Sequence, residues 1–75
     1  MRKKDEYKRE FLRDLGCQLR EMRDNANMTQ EEVAEELDLT QGYVSRAEHG
    51  KHDSAYQMMK MVNLYKERMN ERAHH

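Results

Sequence analysis

Two glutamines and an arginine carry side chains suited to gripping flat, hydrogen-bonding edges. Gln30 and Gln41 each set an amide donor beside a carbonyl acceptor, the pattern that matches N6 and N7 of adenine. Arg46 offers a planar fork of donors that fits the two acceptors of guanine. Nothing at helical spacing competes for that fork. The residues three and four away are Tyr43, His49, Gly42 and Gly50, so no acid is placed to pair with it. Gly42 is unusual inside a helix, where glycine costs up to about 1 kcal/mol against alanine, and close approach to a ligand would justify it.

Covalent and metal chemistry find no comparable set. The histidines stand at 49, 52, 74 and 75; His49-x-x-His52 spans a helix end and lacks a nearby cysteine, which argues against metal ligation. There is no Gly-rich phosphate loop and no nucleophile with a base at a recognisable spacing, so the chain reads as a non-enzyme with no cofactor and no metal. Cys17 is the one cysteine, which rules out an internal disulfide. Lying between Leu15 and Leu19, it is expected to be a buried or half-buried structural thiol. His74 and His75 are set aside as a candidate tag remnant.

Four helices must position these residues. Tyr7, Phe11, Leu15, Leu19 and Met22 recur every three or four residues, predicting a first helix over about 4–24. Asp24-Asn25-Ala26-Asn27 reads as a turn. Thr29-Gln30-Glu31-Glu32 is a capping box that starts a second helix, with Val33, Ala34 and Leu37 facing inward. Asp38-Leu39-Thr40 closes it after about two turns. Thr40 then caps a third helix, with Val44 and Ala47 inside and Gly50 as a left-handed terminator. Ser54 caps a fourth helix. There Tyr56, Met59 and Val62 are expected in the core, with Met58, Met61, Leu64, Tyr65 and Met69 on the neighbouring faces.

Composition agrees with an all-α domain. The 75 residues contain no proline and three glycines, and 39% are charged. No apolar run is long enough to span a bilayer and no signal pattern opens the chain, so a cytoplasmic protein without membrane attachment is expected. The net charge of −1 hides segregation. Residues 1–23 hold eight Lys and Arg against five acids, whereas residues 24–39 hold six acids and no Lys or Arg.

The spacing inside residues 30–50 is the most specific signal. Counting from Gln30, the fourth, fifth, eighth, tenth, fifteenth and eighteenth residues are Val33, Ala34, Leu37, Leu39, Val44 and Ala47, all apolar, with a small residue at the fifth where two helices cross. That is the packing signature of a helix-turn-helix, whose second helix enters the major groove of DNA. At these residues the chain resembles the phage Cro/repressor (Xre-type) helix-turn-helix family. The resemblance covers about Leu15 to Leu64. It rests on Leu15-Gly16, Leu19-Arg20 and Met22-Arg23, on Met28-Thr29-Gln30-Glu31-Glu32-Val33-Ala34, on Thr40-Gln41, and on Glu48-His49-Gly50-Lys51. The chain departs from the family at Asp38, where glycine is usual, and at Ala47, where a larger aliphatic is usual. It also has no recognisable fifth helix and about a dozen added residues before the first.

The resemblance implies a small lambda-repressor-like domain over residues 1–73, with an extended first helix. In it Gln30 holds a phosphate and braces Gln41, while Arg23 and Glu48 form a partly buried structural pair. With Gln41, Gly42, Ser45 and Arg46 on base edges, the expected backbone contacts are Gln30, Thr40, Tyr43, Lys51 and His52. For Tyr43 the alternative is covering the helix base, and for Lys51 and His52 a solvated loop. The expected function is a DNA-binding transcriptional regulator of the repressor kind, a homodimer on a pseudo-palindrome. The extended first helix and the end of helix four are expected to form the dimer contact. The alternative is a protein-interaction module, an antirepressor or antitoxin-like partner, working through the acidic helix over 30–38.

Overall fold

The computed structural model describes residues 4–73; the reading of residues 74 and 75 as a tag remnant lies outside them. The described residues form four helices and no strand: α1 (Lys4–Asn25), α2 (Gln30–Leu37), α3 (Gln41–Glu48) and α4 (Ala55–Ala73). The all-α four-helix expectation is met.

Local chemistry ends the first three helices in one way. Asn27, Asp38 and Gly50 take left-handed φ values of 59°, 56° and 74°. Each is followed by an amide that reaches back over the helix end: Met28 to the Arg23 carbonyl at 3.1 Å, Leu39 to Ala34 at 2.8 Å, and Lys51 to Arg46 at 2.8 Å. These bonds satisfy carbonyls that a helix end otherwise leaves without partners. Asp38 therefore does adopt the left-handed turn that glycine would take without strain.

The first two of these turns are near copies. Asn27-Met28-Thr29-Gln30 and Asp38-Leu39-Thr40-Gln41 each run from a left-handed residue through an apolar one to a threonine cap and a first-turn glutamine. The Thr29 hydroxyl accepts from the Glu32 amide at 3.1 Å, and Glu32 accepts from the Thr29 amide at 2.8 Å, completing the capping box. Thr40 accepts from the Tyr43 amide at 3.0 Å, and Ser54 from that of Gln57 at 3.3 Å.

Helices of eight residues such as α2 and α3 are not stable alone. Burial holds them. Val33 and Val44 are fully buried together with Leu19, Met61 and Tyr65, and complete burial of one such side chain contributes about 1.5–3 kcal/mol. The small Ala34 and Ala47 are buried between them. The two long helices run side by side in the same direction: Lys8 pairs with Asp53 at 2.7 Å near their starts, and Arg72 donates to the Asn25 carbonyl at 2.6 Å near their ends.

α1 also lies hard against the end of α3. A methyl group on Gly16 would stand 2.5 Å from the Glu48 carbonyl oxygen and 2.8 Å from that of Ala47. Only glycine allows that approach. Gly50 makes a second one, since its methyl would meet the Arg13 backbone at 2.9 Å.

Two expectations fail. In α4 the buried side chains are Met58, Met61, Leu64 and Tyr65, whereas Tyr56 and Met59 are 72% and 54% exposed and Val62 is half-buried. Met58, Met61 and Tyr65 form a continuous i, i+3, i+7 stripe. An equally apolar stripe lies beside it, and packing against α1, α2 and α3 decides which one faces in. Cys17 is exposed, because Leu15 and Leu19 turn toward the core and a residue two positions from each points away. These corrections move the exposed apolar surface. Tyr7 and Phe11, 56% and 65% exposed, join Tyr56 and Met59 at the starts of α1 and α4. The end of α4 contributes none of them, contrary to expectation.

Candidate nucleic-acid interface

The interface is built outward from one buried ion pair. Arg23, in the last turn of α1, donates through Nε to Glu48 Oε2 at 2.6 Å and through Nη2 to Oε1 at 3.2 Å. The two side chains are 12% and 2% exposed. Its Nη1 donates to the Met28 carbonyl at 2.9 Å, tying the same guanidinium to the α1–α2 turn. The bond to Glu48 holds the guanidinium pKa above its ordinary value, outweighing the desolvation that opposes it. Burial pushes the Tyr65 phenol up, with the Glu48 charge adding to the shift.

Glu48 then passes a hydrogen bond outward. Its Oε1 accepts from Gln30 Nε2 at 3.0 Å, and Gln30 Oε1 accepts from Gln41 Nε2 at 3.3 Å. Four side chains thus run in series from α1, through the end of α3 and the start of α2, to the first residue of α3. Gln30 is half-buried and Gln41 exposed. Because Gln30 donates one amide N–H to Glu48 and accepts from Gln41 through its oxygen, it fixes how the Gln41 amide is turned and keeps a second N–H free.

The outer side of α3 carries Gln41, Gly42 and Arg46, all exposed, and the half-buried Ser45. Arg46 does not extend freely. Its Nε donates to His52 Nε2 at 3.0 Å, and the His52 ring stacks on Tyr43 with centroids 4.2 Å apart and planes 12° from parallel. Gly42 leaves the space that Arg46 Nη1 uses, since a methyl there would stand 3.1 Å from it. Tyr43, Arg46 and His52 therefore form one linked plate. Sequence reasoning missed this plate, because it depends on how the loop after α3 folds back over six residues. The neighbouring His49 Nδ1 lies 2.7 Å from the Ser45 carbonyl, Lys51 is exposed, and the exposed Thr40 hydroxyl accepts in its cap while keeping its own O–H.

The model of a helix-turn-helix domain family matches residues 14–74. The chain belongs to the helix-turn-helix domain family. No curated protein and no solved structure gives a match. The matched residues include α2, the Asp38–Thr40 turn and α3. A helix-turn-helix domain implies DNA as partner and a DNA-binding regulator as the class of function, in a family that is typically non-enzymatic. Among the described residues no group of His, Cys, Asp or Glu is arranged to hold a metal ion. No helix among them is long and apolar enough to cross a membrane.

The acids of α2 face solvent or a neighbouring helix. Glu31, Glu35 and Asp38 are exposed, and Glu36 pairs with Arg68 of α4 at 2.5 Å. These residues belong to the solvated side of the helix.

Proposed function

We propose that this chain is a sequence-specific transcriptional regulator of the phage Cro/repressor type, a cytoplasmic bacterial or phage repressor that reads a pseudo-palindromic site as a homodimer. The observation that carries the reading is the Glu48–Gln30–Gln41 series of hydrogen bonds at 3.0 and 3.3 Å. It presents an oriented amide at the start of α3, where a glutamine grips adenine in the major groove. Gly42, Ser45 and Arg46 extend the base-reading surface along the same helix. Gln30, Thr40, Tyr43, Lys51 and His52 supply backbone contacts, which position the domain without reading sequence.

Dimerisation is supported by the apolar side chains left in water. Tyr7, Phe11, Tyr56 and Met59 lie exposed near the paired starts of α1 and α4, and a two-fold DNA site calls for a two-fold protein. A second reading, a protein-binding module using the acidic side of α2, is favoured by the exposure of Glu31 and Glu35.

One experiment separates the two. Genomic fragments are incubated with the protein at low salt, and the bound fraction is sequenced. A regulator enriches fragments sharing a two-fold motif, with affinity falling steeply as salt rises. A protein-binding module enriches none.

A further inference from the structure

Beside the helix-turn-helix, α1 and the end of α3 enclose an open groove lined by Arg13, Cys17, Arg20, Gln30, Glu48 and His49. Arg13, Cys17 and Arg20 stand at i, i+4 and i+7, so they share one side of α1. All three are exposed. Neither arginine has a hydrogen bond or an ion pair among the described residues, unlike Lys8, Arg23, Arg46 and Arg68. Two uncommitted guanidinium groups thus flank the very glutamine that braces the reading helix.

We propose that this groove is a second DNA contact, in which Arg13 and Arg20 hold phosphates of the strand that passes Gln30 and so cover Cys17. The site rests on the DNA-reading function proposed above and extends it from the helix-turn-helix to the side of α1. Seven helical residues rise about 10 Å, so the two arginines reach successive phosphates rather than one. Glu48 in the groove does not oppose an anion, because its carboxylate is 2% exposed and already bonded to Arg23. Glu10 and Asp24 stand beyond the two ends of this side of α1, and Glu21, four residues from Cys17, borders it laterally. Arginine suits the task, since its planar fork grips phosphate in two bonds where lysine offers a point charge. The contact is indifferent to base sequence, so it sets affinity and register only.

The chain's one cysteine reports on this groove directly. A pool of random-sequence duplexes is bound at low salt, with binding followed by fluorescence anisotropy. The rate of Cys17 alkylation by N-ethylmaleimide is read by mass spectrometry with and without the DNA. Saturating duplex is expected to slow alkylation at least tenfold. Arg13→Gln and Arg20→Gln are each expected to lower the dependence of log affinity on log salt by about one per bound protomer. Both residues are exposed, and circular dichroism checks that the variants stay folded. If the duplex binds while Cys17 reacts at its free rate, or both variants keep the wild-type salt dependence, the groove is not a DNA contact and the helix-turn-helix reading stands. If the wild type binds no duplex, both readings fall together.

Discussion

The Gln41 amide nitrogen donates to the Gln30 side-chain oxygen at 3.3 Å, joining the first residues of two successive helices. Since Gln30 is itself held by Glu48, the two glutamines should act as one unit toward DNA. Gln41→Ala is expected to weaken binding to the preferred site by about 1–3 kcal/mol, with little effect on random DNA. Gln30→Ala should lower the same discrimination, and the double variant should lose less than the two single losses combined. A double-mutant cycle on the selected site measures this, with a coupling of about 0.5–3 kcal/mol expected. Strict additivity would show that the bond does not orient Gln41.

Arg23→Ala removes the partner of a carboxylate that is 2% exposed. It strands that charge and also frees the Met28 carbonyl. A loss of about 3–5 kcal/mol is expected, more than any single DNA contact provides. Urea denaturation of the two proteins gives the comparison. An unchanged midpoint would mean that the pair contributes nothing to the fold.

Gly16 and Asp38 should respond in opposite directions to small changes. Gly16→Ala drives a methyl group to 2.5 Å from a backbone carbonyl of α3, and a destabilisation of about 1–3 kcal/mol is expected. Asp38→Gly relieves a left-handed residue with φ 56° and should stabilise by about 1 kcal/mol. Thermal melts of both variants test the pair of signs.

Acid should act partly through the α2 cap. The Glu32 carboxylate is held below its ordinary pKa, first by the Thr29 amide and then by the Thr29 hydroxyl. A lowered folded-state pKa gives stability that is present above the unfolded value and lost as pH falls through the folded one. Melting temperatures of wild type and Glu32→Gln should therefore converge as the pH drops from about 5 to about 3. A constant difference across that window would contradict the capping role.

Much of this was legible in the sequence because helix starts and stops are decided within a few residues. Thr29, Thr40, Asp38 and Gly50 act on amides and carbonyls three to five positions away, so their types and spacing suffice. The register of α4 was not legible. Its Tyr56–Met59 and Met58–Met61–Tyr65 stripes are both apolar, and only contacts with distant helices choose between them. Cys17 failed for a related reason, since flanking leucines two positions away say little about which way a helical residue points. In the candidate site, the types of Gln41 and Arg46 suggested base reading, but the His52 ring that engages Arg46 comes from a loop whose path nothing local dictates.

The duplicated turn has a consequence for how such a chain changes over time. Its frame, a left-handed residue, an apolar anchor and a threonine cap, works without help from the exposed outer side of α3. Under the DNA-reading function proposed above, residues 41, 42 and 46 can be exchanged while the frame stays put, so a new target would need few substitutions. Gln30 has no such freedom, because altering it disturbs the carboxylate that anchors α3 to α1. Retargeting is cheap on one side of that bond and constrained on the other.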